Sequence, residues 1–231
     1  MAADAELAAE SGQPTAAGPG GPSDPTAGRT ANAAEWASES ARSIADPAPL
    51  GLAAFALTTF LLSLVNAKLI PAAAEPVVLG PALAYGGIAQ FAAGMWEFRK
   101  GNTFGATGFA SYGAFWLSYW ALVTFYATSL GRSAPTAIGW FLVSWGIFTT
   151  IMFLASLRTT AALVVLFALL AATFYVLGAG ALNTSGSVTQ IGGWLGIVTA
   201  AVAWYTALAA VMTSTFGRPI LPNPSLGRRL P

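Results

Sequence analysis

Thr160-Ala161-Ala162-Leu163-Val164-Val165-Leu166-Phe167-Ala168-Leu169-Leu170-Ala171-Ala172-Thr173-Phe174-Tyr175-Val176-Leu177-Gly178-Ala179-Gly180-Ala181 contains no charged residue from end to end. Arg158 precedes it and the polar break Asn183-Thr184-Ser185-Gly186-Ser187 follows it. A helix crosses the hydrocarbon core of a bilayer with about 20 residues, so the run is long enough to span. A membrane-barrel strand would alternate apolar and polar residues with period two over about ten positions. Here the apolar residues are continuous, and the helix is the reading that fits.

Working outward, five further apolar runs occupy roughly 50–67, 77–97, 104–128, 136–157 and 189–213. The breaks between them carry charge, proline and glycine: Lys68 to Pro76, Arg99-Lys100-Gly101-Asn102, Gly131-Arg132-Ser133-Ala134-Pro135, and Arg158. Of the 231 residues 55% are hydrophobic and only 8% charged, against about 25% charged in a soluble domain. Between Leu50 and Gly217 the only charges are Lys68, Glu75, Glu97, Arg99, Lys100, Arg132 and Arg158. The sequence therefore predicts an all-α membrane protein of six transmembrane helices over 46–216. Residues 1–45, acidic and rich in Ala, Gly and Pro, read as a disordered tail with a short helix around 33–44. Residues 217–231 read as a short basic tail.

Lys and Arg near span ends set orientation. With the N-terminus inside, the cytoplasmic side collects Arg42, Arg99, Lys100, Arg158, Arg218, Arg228 and Arg229, and the far side only Lys68 and Arg132. Both termini are predicted to be cytoplasmic, in a multi-pass protein of the plasma membrane or a bacterial inner membrane. The spacings Gly101-x-x-x-Gly105 and Gly192-x-x-x-Gly196 suit close helix packing.

The residue types that are missing narrow the chemistry. There is no Cys and no His, which removes the thiolate nucleophile, the commonest metal ligand and the usual general base. No cofactor or metal is indicated. A catalytic pair is hard to assemble from Glu75 and Glu97 alone, so the chain does not read as an enzyme. A net charge of +1 with no long basic run gives no reason to expect nucleic acid as a partner.

Three sets of residues carry functional possibilities. Asp46-Pro47-Ala48-Pro49-Leu50-Gly51-Leu52 has the makings of a helix start, with an N-capping carboxylate and proline in the first turn. The free amides of such a start also attract small anions. Gln90 lies mid-span, where an amide is costly without a partner or a watery cavity. Glu97 is placed to pair with Arg99, Lys100 or Arg158, a structural role set against proton handling. Asn66, Gln90, Ser111, Tyr112, Thr149 and Thr173 supply polar groups for a path with no fixed midplane cation.

The block Gly86-Gly87-Ile88-Ala89-Gln90, Glu97-x-x-Lys100-Gly101-Asn102-Thr103-Phe104-Gly105, Ser111-Tyr112-Gly113-x-Phe115-Trp116-Leu117 is long and specific. Together with Asp46–Leu52, Trp145-Gly146-Ile147-Phe148-Thr149 and Phe216-Gly217-Arg218-Pro219-Ile220-Leu221-Pro222, it resembles the acetate uptake transporter family, whose bacterial members include the YaaH-type succinate–acetate permeases. The resemblance implies a six-helix protomer in a homo-hexamer, each protomer with its own path for acetate, related monocarboxylates and in some members succinate, with proton-coupled uptake. It implies an entrance at the helix start Asp46–Leu52 and a constriction of Phe55, Tyr112 and a leucine. That leucine is Leu170, with Leu169 the alternative and Phe174 in support. Asn66, Gln90, Ser111 and Thr149 are the expected polar lining. The family signature begins with Asn where this chain has Asp46, so Asp46 either caps the helix or is protonated when substrate binds. A passive channel for small organic acids, or for another small solute, is the competing reading.

Overall fold

The computed structural model describes residues 44–227 and, before them, the isolated helical residues Thr30, Asn32 and Trp36. The expected tail 1–45, its helix around 33–44, and Arg42, Arg228 and Arg229 otherwise lie outside the described residues. Two units separate by backbone contacts, Met1–Ser40 and Ala41–Pro231. In the second, every regular element among the described residues is helical. Outside the helices, an isolated bridge pairs Thr160 with Ser225.

Helix α1 is Ala48–Asn66. Helix α2, Pro76–Leu83, passes through a π turn at Ala84–Ala89 into α3, Gln90–Lys100. Pro81 within α2 removes one ladder donor, and Gly87 lets the backbone tighten there, because a Cβ would lie 2.6 Å from the Ala82 carbonyl. Helix α4 is Thr103–Ala121, followed by a second π turn at Leu122–Tyr126 and the short α5, Ala127–Leu130. Helices α6, α7 and α8 are Ala134–Ser156, Ala161–Leu182 and Gly186–Phe216.

Among the described residues, five continuous helical stretches are long and apolar enough to cross a membrane. One of them, Thr103–Ser156, has 54 residues, about 80 Å at 1.5 Å per residue, far beyond a core of about 30 Å. Gly131, at φ +50°, turns the chain within it. Its arms α4 and α6 then lie side by side, with the Phe115 and Phe141 rings stacked at 5.7 Å.

Helix α8 packs on α1 and α7, α7 on α6, and α3 on α4. Bare backbone sets the closest approach: a Cβ on Gly193 would strike the α1 backbone at Asn66 and Ala67, and one on Gly196 would strike Ser63. Of the expected Gly192–Gly196 pair, Gly192 meets Leu177 on α7 and Gly196 meets α1, so the two serve different interfaces; the Gly101–Gly105 pair behaves differently again. Gly101 stands at φ +78° as the left-handed cap of α3, and a Cβ there would meet nothing within 4 Å. The segment after α8 clips onto α7. Ala161 N–H donates to the Pro224 carbonyl (3.0 Å) and Ala162 N–H to Asn223 Oδ1 (3.2 Å), so two unpaired amides at that helix start are satisfied.

Candidate functional site

Two cavities lie in line between the helices. The first, about 80 Å³, opens near the start of α1 and is walled by Ala48, Leu52, Phe55, Gln90, Asn102, Phe104, Gly105, Gly108, Phe109, Tyr112, Leu163, Leu166, Phe167 and Leu170. That is room for a few water-sized groups. The second, about 200 Å³, runs toward the opposite ends of the helices between Thr59, Leu62, Ser63, Asn66, Glu75, Trp116, Tyr119, Thr173, Leu177 and Thr189. Phe55 and Leu170 line both. The second cavity leads to a mouth that shares Asn66, Glu75, Ala181 and Thr189 with it and adds Lys68.

Helical periodicity puts these residues on the walls of the two cavities. Ala48, Leu52, Phe55, Thr59, Leu62 and Asn66 fall three or four apart on α1, and Leu163, Leu166, Leu170, Thr173 and Leu177 do the same on α7. Tyr112, from α4, lines the first cavity and packs against Phe55 where the two cavities meet. Its ring centre is 5.9 Å from Phe55, 5.5 Å from Phe148 and 6.2 Å from Phe167. Leu170 is buried, whereas Leu169, one position away, is only half-buried and lines neither cavity.

The polar groups do not stud this wall as expected. Thr149 donates its only hydroxyl proton to the Trp145 carbonyl at 2.7 Å. The 2.9 Å contact between Tyr112 and Thr149 must therefore have the tyrosine as donor. Tyr112 thus turns its hydroxyl into the protein and leaves an aromatic surface at the partition. Thr149, itself fully buried, stands behind it and lines neither cavity. Ser111 also lines neither, since one residue along a helix rotates a side chain by about 100° from its neighbour. Asn66 lies on the second cavity, and Gln90 on the first. Gln90 is 1% exposed, and its side-chain amide hydrogen-bonds to no described residue, leaving its Oε1 unpaired.

Of the stretch Asp46–Leu52, Ala48 and Leu52 reach the first cavity and Leu50 faces outward. Asp46 accepts from Ala48 N–H at 3.0 Å and from Lys100 Nζ at 2.8 Å. Its carboxylate is thus paired and takes up the first amide of α1, but the N-cap position expected for Asp46 is held by Pro47. Glu97 takes none of the cations expected for it. Asn102 donates to its Oε2 at 2.7 Å while accepting from Gly105 N–H to cap α4, and Glu97 Oε1 has no partner. Trp116, buried at 2% exposed, lines the second cavity, unlike the outward-facing Trp96, Trp140 and Trp194. Glu75, half-buried, accepts from the Tyr119 hydroxyl at 2.6 Å and lines both the second cavity and its mouth. Nothing in the sequence pattern singles this acid out as a cavity residue.

Comparison with known proteins gives consistent matches. A model of the GPR1/FUN34/yaaH family matches residues 27–226, beginning upstream of Asp46. Acetate permease A of Emericella nidulans is 40% identical over 204 residues, covering 81% of this chain and 68% of that protein. The succinate-acetate/proton symporter SatP of Escherichia coli is 40% identical over 181 residues, covering 78% and 95%. A solved structure of the bacterial acetate channel SatP superposes with a TM-score of 0.74 at 38% identity, covering 79% of this chain and all of that one.

Proposed function

Because the chain belongs to the GPR1/FUN34/yaaH family, we propose that the two aligned cavities are a path for acetate and related small carboxylic acids across the membrane. The protein is a multi-pass transporter or channel of the plasma or inner membrane. Relatives described as an acetate permease, a succinate-acetate/proton symporter and an acetate channel support that substrate class. The observation that carries the reading is the meeting of both cavities at Phe55 and Leu170, with Tyr112 against them.

In this reading six helices cross the bilayer: α1, the α2–α3 rod, α4, α6, α7 and α8. Both termini are cytoplasmic, so the Asp46 end of the path faces inward and the Lys68 end outward. Phe55, Tyr112 and Leu170 form the constriction, Ala48 and Leu52 the inner entrance, and Gln90 and Asn66 the polar contacts on either side. Ser111 and Thr149 act only from behind the wall, Thr149 by holding Tyr112. Apolar residues facing outward, such as Ile191, Trp194 and Val198, meet lipid or neighbouring copies. The hexamer follows the family resemblance.

Proton coupling is the favoured mode. An apolar partition with no fixed cation imposes a desolvation cost on a bare carboxylate that a neutral acid escapes. The test is uptake of radiolabelled acetate by proteoliposomes with protein-free vesicles subtracted. Transport is expected, and faster with an inward proton gradient. Vesicles that leave acetate and propionate distribution unchanged would refute transport, and flux indifferent to the gradient would favour the passive channel.

A further inference from the structure

Among the described residues, only two charged groups line the second cavity and its mouth: Lys68, at the mouth alone, and Glu75, at the junction of mouth and cavity. At the other end of the path Asp46 pairs with Lys100, and Glu97, bonded to Asn102, lines neither cavity. Glu75 has no cation within ion-pairing distance among the described residues, and the contact that fixes it is the Tyr119 hydroxyl at 2.6 Å. Lys68 is exposed and likewise unpaired, its Nζ lying over Gly186 at the start of α8. The charged groups facing Glu75 from the elements around it thus reduce to Lys68 after α1, with Tyr119 on α4 the only other titratable one. The lining residues of α6, α7 and α8 are uncharged.

Resting on the transport reading above, we propose that Glu75, held in place by Tyr119, is a charge filter at the outer mouth. It admits a carboxylic acid that carries its proton and turns back the bare carboxylate. Lys68, placed further out, collects the anions that Glu75 then sorts. The physics is the repulsion of like charges in a half-desolvated neck. At an effective dielectric of about 20, two unit charges about 5 Å apart disfavour the pair by roughly two powers of ten, less after screening by salt. A proton on the substrate abolishes that repulsion. The same carboxylate opposes a dianion more strongly than a monoanion, which makes Glu75 a selector between acids of different charge as well as between protonation states.

The experiment compares acetate flux at pH 5.5 and pH 8 in proteoliposomes bearing the full chain or the Glu75→Gln variant, which keeps an oxygen able to accept from Tyr119. Ordinary carboxylic acids ionise near pH 4–5, so acetate is overwhelmingly anionic at pH 8. The ratio of flux at pH 5.5 to flux at pH 8 is expected to fall at least tenfold in Glu75→Gln. A ratio equal to that of the unsubstituted protein overturns the inference, as does a folded variant that transports at neither pH. A second measurement needs no variant: acetamide, the uncharged isostere, should cross the unsubstituted protein equally at both pH values. If acetamide flux also falls at pH 8, the mouth itself closes and no charge is being sorted. Unsubstituted protein that passes no acetate at either pH refutes the transport reading itself, and the filter with it. Acetate flux with an unaltered Glu75→Gln ratio refutes the filter alone.

Discussion

Replacing Tyr112 by Phe separates two roles that the residue could play. The hydroxyl donates to Thr149, and Thr149 in turn donates to the Trp145 carbonyl. Removing the hydroxyl therefore orphans no donor: Thr149 keeps its bond to the backbone and loses only a bond that it accepts. The ring keeps its contacts with Phe55, Trp145, Phe148 and Phe167. The net worth of one neutral buried hydrogen bond is about 0.5–1.5 kcal/mol. In a chain of this size a loss of 1 kcal/mol lowers the melting temperature by about 2–4 °C. Acetate flux should stay within about twofold of the unsubstituted protein, because the group removed points away from the passage. Thermal unfolding in detergent followed by size-exclusion chromatography reads the first quantity, and proteoliposome uptake the second. A tenfold loss of flux with little change in melting temperature would show the hydroxyl acting on substrate or proton, and the apolar partition would be wrong.

Phe55→Ala joins the two cavities, and discrimination between acetate and the larger lactate should drop roughly tenfold, the scale on which one small group is resolved by packing. Competitive uptake measures it, and an unchanged lactate-to-acetate ratio removes Phe55 from the constriction. Gln90→Leu replaces an unpartnered buried amide by an apolar group of similar size, so stability should hold or rise. Its KM for acetate should increase by about two- to tenfold, the loss of one hydrogen bond, with equal KM arguing that Gln90 never meets the acid.

What the sequence disclosed and what it hid follow from different physics. The apolar run 160–181 reappears as Ala161–Leu182, because lipid leaves a chain no other way to satisfy its backbone. The π turns at Ala84–Ala89 and Leu122–Tyr126 were not legible, since hydropathy is blind to an extra residue per turn. The polar residues were visible but their rotation was not. Ser111 and Tyr112 are adjacent in sequence, yet only Tyr112 reaches the cavity, and a spacing rule applied along α4 from Gly105 through Gly108 to Tyr112 would have separated them. Glu75 needed the fold, because the chain between α1 and α2 must close over the path before its carboxylate meets Tyr119.

The distribution of polarity along the path bears on what moves through it. At the inner end the Asp46 carboxylate is consumed by a lysine and a helix start, Glu97 is buried behind the wall against Asn102, and the wall is almost wholly apolar except for Gln90 and Asn102. At the partition, the hydroxyl that could have met a substrate is turned away from the path, to buried Thr149. At the outer end an acid bonded only by a tyrosine faces the neck. A path built to stabilise a travelling anion would place donors and cations along its length, since each uncompensated step costs several kcal/mol. This one withdraws the Tyr112 and Thr149 hydroxyls at the partition, keeps its polar lining to the second cavity at Thr59, Ser63, Asn66 and Thr189, and leaves an acid on the approach. The arrangement favours a substrate that sheds its charge before the neck and regains it after Gln90, so that the proton accompanies the acid instead of passing along a relay of side chains.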